Sequence, residues 1–244
     1  MAKQLSPDTD TPPPRKGGRR AVRLPKGGDT GSAPLNVTNG KRRRGDDVRE
    51  RILSAALKCF AAFGFEGTST RAVAAKAGLT HSLVIYHFES KDQLWLSTVE
   101  AAVEPFVRDV RAAFIEKEGP ADEILRAFIA QFVRLSAERP EINQIMTVEG
   151  GQDTDRLRYA MDTYIRKNFN DICSLIRRGQ EEGTVRECDP ARLYFHIIAG
   201  STSGFSKGAQ YKELTGRDAF SEQEILRTVA FIYDMVFKSD DAHT

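Results

Sequence analysis

The residues with the most chemistry to offer lie between positions 70 and 91, in the run TRAVAAKAGLTHSLVIYHFESK. Within it His81, Ser82, Leu83, Tyr86 and His87 mix hydrogen-bonding groups with an apolar side chain. Such a set suits the major groove of DNA, where polar tips meet base edges or phosphates and an alkyl group meets a thymine methyl. Two short helices are needed to present it. Val73, Ala74 and Ala77 recur at helical spacing behind Thr68 or Ser69, either of which can cap the helix by accepting an orphan amide. Gly78 supplies the positive φ that ends this helix, and Leu79 turns inward at the corner. Thr80 can cap a second helix, in which Val84 and Phe88 share the buried face. The spacing predicts a helix-turn-helix.

These residues resemble the DNA-binding domain of TetR-family transcriptional repressors. That family's pattern runs from an apolar first helix through FGFxGTS, IAxxAGVSxGxxYxHF and SKxxL. Here the counterparts are Phe63-Gly64-Phe65, Gly67-Thr68-Ser69, Val73-Ala74, Ala77-Gly78-Leu79-Thr80, Tyr86-His87-Phe88 and Ser90-Lys91 with Leu94. The resemblance implies that the start of the second helix and the whole third helix touch DNA. Carried to matching positions, Arg71 can fork onto guanine, and Thr70, Tyr86, His87 and Lys91 are phosphate contacts that set register. His81, Ser82 and Leu83 are the base readers, Leu83 suggesting a thymine-rich position, and Thr80 belongs to the same DNA-facing set. Ile85 departs from the pattern: many relatives carry a tyrosine there, whereas Ile85 cannot donate to phosphate and can pack inward.

Composition agrees with a two-part soluble protein. With 244 residues, 40% of them hydrophobic and 29% charged, the chain can bury a sizeable helical core beside a small DNA-reading module. No apolar run approaches the roughly 18–20 residues of a membrane span, and no apolar secretory block stands near the N-terminus, so a cytoplasmic protein without a membrane partner is expected. Cys59, Cys173 and Cys188 are widely spaced without CxxC pairing, which argues for ordinary thiols over a disulfide frame or zinc site. His87 lacks Cys or carboxylate neighbours at ligand spacing, and no metal or other cofactor is expected beyond a small-molecule effector. A Gly-rich phosphate loop, a nucleophile elbow and an interpretable acid–base pair are all missing, so the chain does not read as an enzyme.

Residues 1–45 hold six of the ten prolines and no aromatic residue, and are expected to be a disordered arm. The arm has eleven Lys or Arg against three Asp, net +8; the whole chain carries +2, leaving −6 for residues 46–244. Its last basic run includes Arg42, Arg43 and Arg44, placed to track phosphates beside the main contact. Residues 46–63 then form a supporting helix through Val48, Ile52, Ala56, Phe60 and Phe63, which Gly64 ends. Phe65 can fold back onto its last turn.

Beyond the reader, Ser90-Lys91-Asp92-Gln93 has capping-box spacing and opens a helix expected to reach about Lys117, roughly 40 Å long. Leu94, Trp95, Thr98, Ala102, Phe106, Val110 and Phe114 form its inward stripe, and Pro105 should kink it. Further helices are predicted over 121–139, 141–150 and 154–182, then from Asp189-Pro190 and from Ser221. The expected architecture is all-α, with a three-helix helix-turn-helix domain at 46–92 and a larger helical ligand-binding and dimerisation domain at 93–244. The last two predicted helices are apolar on more than one side, and the resemblance pairs them with their mates in a homodimer that binds a palindromic operator. The resemblance also places an effector pocket among the helices of the larger domain. There Phe106, Phe128, Phe132, Met146, Glu149, Tyr164 and Phe169 offer an apolar wall with a carboxylate and a phenol. A ligand-responsive repressor should hold a cavity of several hundred Å³ facing the kinked helix; a ligand-independent or architectural DNA-binding protein should not.

Overall fold

The computed structural model describes residues 39–238, with side chains from Asp46 onward. Its helices are, in order, α1 (Asn39–Gly67), α2 (Thr70–Ala77), α3 (His81–Phe88), α4 (Lys91–Arg111), α5 (Ala121–Glu138), α6 (Pro140–Gly150) and α7 (Asp155–Ala160). A π-helical turn, Met161–Ile165, joins α7 to α8 (Arg166–Glu181), and α9 (Pro190–Ser206), α10 (Gly208–Thr215) and α11 (Glu222–Val236) follow. Among the described residues there is no β-strand, only an antiparallel bridge between Val185 and Phe237.

Local capping chemistry sets most starts. Side-chain oxygens of Ser69, Ser90, Thr154, Asp189 and Ser221 each accept the backbone N–H three residues on, at 2.8 to 3.4 Å. Pro140 and Pro190 sit at first-turn positions, where a missing N–H costs nothing. Pro105, by contrast, lies inside an unbroken α4 and removes an interior donor.

The first helix begins at Asn39, so residues 39–45, expected to be disordered, are helical; Lys41 to Arg44 are good helix formers and the last proline before them is Pro34. The rest of the expected arm, residues 1–38, and the side chains of Arg42, Arg43 and Arg44 lie outside the described part. Gly64 breaks α1 with φ 67° and ψ 179°. Beyond it Phe65 folds back and stacks on Phe60 at 6.1 Å, taking the place expected of Phe63, whose ring is 67% exposed.

Three further expectations need correction. α4 ends at Arg111 and not near Lys117, because residues 112–116 turn and fold Phe114 into the core. The helix expected over 154–182 is interrupted by the π-turn, and its Leu157, Met161, Tyr164, Ile165 and Phe169 are only half-buried, whereas Ile172 and Ile176 are buried. Helix α10 was not anticipated: it buries no residue and so shows no apolar stripe.

In the body, α5 is central, packing against α4, α6, α8, α9 and α11. The head formed by α1 to α3 is not a separate unit. α1 packs along α6 as well as α2 and α4, and α4 runs out of the head into the body. Among the described residues no helix is long and apolar enough to cross a membrane, and no group of His, Cys, Asp or Glu is arranged to hold a metal ion.

Candidate functional site

The exposed side of α3 follows from what its other side buries. Val84 and Phe88 lie in the core, and Val73 and Ala74 of α2 join them there. Between the helices Gly78 adopts φ 64°, with its own N–H and that of Leu79 bonded back to Ala75 and Ala74. Arg51 of α1 donates to the Ala77 carbonyl at 2.8 Å and so fixes the end of α2. What remains outside is a ridge of polar and aromatic groups.

Arg71, Thr80, Ser82 and Tyr86 are exposed, Tyr86 to 80%, while Thr70, His81, Leu83, His87 and Lys91 are half-buried. Ile85, expected to turn inward, is exposed, because the inward positions are already filled by Val84 and Phe88. Several of these groups are held by one another. Thr70 Oγ1 lies 2.9 Å from His81 Nε2, linking a residue expected on phosphate to one expected on a base. Ser82 donates to Thr80 Oγ1 at 3.2 Å, so the Thr80 hydroxyl sits at the N-cap without capping the helix. Lys91 Nζ rests 4.2 Å from the Phe65 ring and 3.4 Å from the Glu66 carbonyl. The ridge is therefore preorganised, and its donors are aimed by intramolecular partners.

Arg49 was missed. Its guanidinium lies 5.4 Å from the Phe88 ring, at the end of α3. Its local sequence gives no signal for it, since Gly45, Asp46, Asp47 and Val48 separate it from the basic run that ends at Arg44.

The expected effector residues do not form one wall. Phe106 meets Phe132, Phe132 meets Phe128 and Phe128 meets Phe114, ring to ring at 5.6 to 5.9 Å in the buried core, with Met146 half-buried against that core. Glu149 is 2% exposed and committed to its own fold: the Thr154 hydroxyl donates to it and Arg156 Nε lies 3.2 Å away. Phe169 packs edge-on to Tyr194 at 5.0 Å and lines a cleft of about 430 Å³ at the start of α9. Burial, with Cys173 nearby, pushes the Tyr194 phenol up to about 12. Tyr164 alone of the expected set lines the larger cleft, about 660 Å³, between α4 and the α7–π–α8 run.

Head and body meet at Phe65. The Arg156 guanidinium of α7 stacks 3.7 Å from its ring while Lys91 covers it at 4.2 Å, and Arg156 also lies 5.9 Å from Trp95 of α4. One short helix thus carries both a grip on the head and, through Tyr159, a wall of the larger cleft.

In the body α9 and α11 pack together and leave Phe195 66% and Phe231 68% exposed, and Leu226 of α11 is exposed as well.

A helix-turn-helix head continuous with an all-helical body defines a DNA-binding transcriptional regulator. Residues 52–98 match the family model described as bacterial regulatory proteins, tetR family, and residues 121–236 match the tetracyclin repressor-like C-terminal domain. The chain belongs to the TetR family. It is 25% identical over 202 residues to the transcriptional regulator RutR of Escherichia coli, covering 82% of this chain and 94% of that one. It is 27% identical over 197 residues to the regulatory protein RaaS of Mycobacterium tuberculosis, covering 80% and 84%. The fold is shared with AibR, whose crystal structure contains isovaleryl coenzyme A and operator DNA: TM-score 0.64, 18% identity, 78% of this chain and 98% of that one. The named relatives are regulators, not enzymes.

Proposed function

We propose that this regulator is a cytoplasmic repressor that binds a palindromic operator as a homodimer and lets go when a small molecule enters the α4 cleft. The observation that carries the reading is the placement of that cleft of about 660 Å³ against α4, the helix that begins in the DNA-reading head at Lys91. In this reading residues 46–92 are the reading domain and 93–244 the effector and dimer domain. Arg71, His81, Ser82 and Leu83 face base edges. Thr70, Thr80, Tyr86, His87 and Lys91 face phosphates, and Arg42 to Arg44 extend the phosphate contact from the first turns of α1.

Dimerisation is supported by Phe195, Leu226 and Phe231, large apolar side chains left exposed on two packed helices. Two-fold symmetry would set two α3 helices about one turn of DNA apart or a multiple of it. AibR, crystallised with both a small molecule and DNA, supports ligand response in the shared fold. The route from cleft to DNA runs along α4 and through α7, where Arg156 holds Phe65.

Selection of bound duplexes from a random pool tests this directly. The enriched sites should be inverted repeats, and a metabolite screen against the labelled site should yield a compound that releases it. Val107→Trp, which fills the cleft from α4, should abolish release while leaving the enriched sequence the same. Enriched sites without symmetry, or release indifferent to Val107→Trp, would overturn the proposal.

A further inference from the structure

We infer that the α4 cleft takes an amphipathic organic cation, an ammonium group on an apolar body, in preference to an acid; the inference rests on the effector reading above. Its basis is which charges along the cleft already have partners. Glu100 and Glu104 stand one helical turn apart on α4, exposed at the cleft, and among the described residues neither has a salt-bridge or hydrogen-bond partner. Each lining cation already has a carboxylate within 4 Å, although Arg139 holds Asp109 more closely, at 2.9 Å. Arg111 Nη1 lies 2.8 Å from Asp171 and also donates to Asn168, Lys167 Nζ lies 3.0 Å from the same aspartate, and Arg108 Nε lies 3.7 Å from Asp109. A carboxylate or phosphate entering here would meet cations whose charge Asp171 and Asp109 already largely offset, whereas an ammonium meets two carboxylates with no such offset.

The opposite wall suits the same guest. Tyr159 and Tyr164 sit edge to face at 6.1 Å, and aromatic faces attract ammonium groups. Burial, the Tyr159 hydroxyl and then the charges of Glu100 and Glu104 push the Tyr164 phenol above its usual range, so both carboxylates act at that ring. Thr163 and Tyr164 of the π-turn both line this wall. Farther along, Val107 of α4 and Ile115 of the turn beyond it provide an apolar surface for the rest of the guest. A cation seated between Glu100, Glu104 and Tyr159 would tie α4 to α7, the helix whose Arg156 grips the head.

Calorimetry on the full chain tests the charge preference with two probes of equal chain length, decyltrimethylammonium below its micelle concentration and decanoate. The ammonium should bind at least roughly tenfold more tightly. Glu100→Gln with Glu104→Gln should remove at least roughly tenfold of its affinity and none of decanoate's, with an unchanged melting temperature confirming the fold. Equal or tighter decanoate binding, no binding of either probe, or ammonium affinity indifferent to the double substitution would overturn the inference. Val107→Trp separates this failure from that of the effector reading. If decanoate binds and Val107→Trp abolishes it, the cleft survives as the effector site and only its preference for cations falls. If a compound that releases DNA ignores Val107→Trp, the cleft itself falls.

Discussion

Replacing Arg156 by methionine keeps most of the side-chain volume and removes the charge that holds the head to the body. Glu149 is then left buried without its ion-pair partner. Breaking such a pair costs about 3–5 kcal/mol when nothing else serves the carboxylate. Here the Thr154 hydroxyl still donates to Glu149, and Arg156 Nε, although 3.2 Å away, lacks the alignment of a hydrogen bond. The loss should therefore fall near about 2 kcal/mol, with about 1 kcal/mol more from the stack on Phe65. For a domain of this size that corresponds to a melting temperature lower by about 6–12 °C. A double-mutant cycle with Phe65→Leu isolates the stack and should return a coupling of about 1 kcal/mol. If α7 carries the effector signal, Arg156→Met should also narrow the gap between operator affinity with and without the releasing compound, by about fivefold for that 1 kcal/mol. A coupling near zero together with an undiminished gap would refute the reasoning.

Arg71→Ala should cost about 1–3 kcal/mol on the preferred operator and little on unrelated DNA, measured by competition anisotropy; a uniform loss would move Arg71 to the phosphates. Phe231→Glu should raise the dimer dissociation constant by roughly a hundredfold or more, since a buried Phe contributes about 1.5–3 kcal/mol and recurs across a two-fold axis. Sedimentation at micromolar concentration reads the outcome, and a persistent dimer would place the interface elsewhere. Burial raises the Asp171 carboxyl, but hydrogen bonds from Arg111 and Lys167 outweigh it and hold the group below its usual range. A lowered folded value means that its stabilising contribution is complete above the ordinary aspartate range, about pH 4, and is lost as pH falls below it. The melting-temperature difference between the native chain and Asp171→Asn should thus be constant at neutral pH and shrink under acid conditions; a difference that grows on acidification would contradict the pairing.

What was legible in the sequence was mainly local. Ser69, Ser90, Asp189 and Ser221 announce helix starts because a cap is a contact over three residues, and Gly78 announces a stop because few other residues take positive φ. Val84 and Phe88 settle the buried side of α3 by spacing alone. The misses are contacts between different elements. Thr70 with His81 and Phe65 with Arg156 leave no pattern in periodicity, and Glu149 looks like a free carboxylate until Arg156 is placed beside it. The π-turn at 161–165 has no residue code of its own, and exposed α10 lacks the stripe that would have revealed it. The expected pocket wall was the least legible, because aromatic residues suited to such a wall are equally suited to filling a core, where Phe106, Phe128 and Phe132 lie.

Gly64 has a consequence for how this molecule can change over generations. A methyl added at its α-carbon would meet Val148 Cγ1 of α6 at 3.0 Å, and the backbone there already has φ 67°. The joint between α1 and α6 therefore closes with no slack, one hydrogen thick. Variation that retunes sensitivity has freer room along the cleft walls, where side chains face solvent, than at this seam, where even alanine acts as a shim.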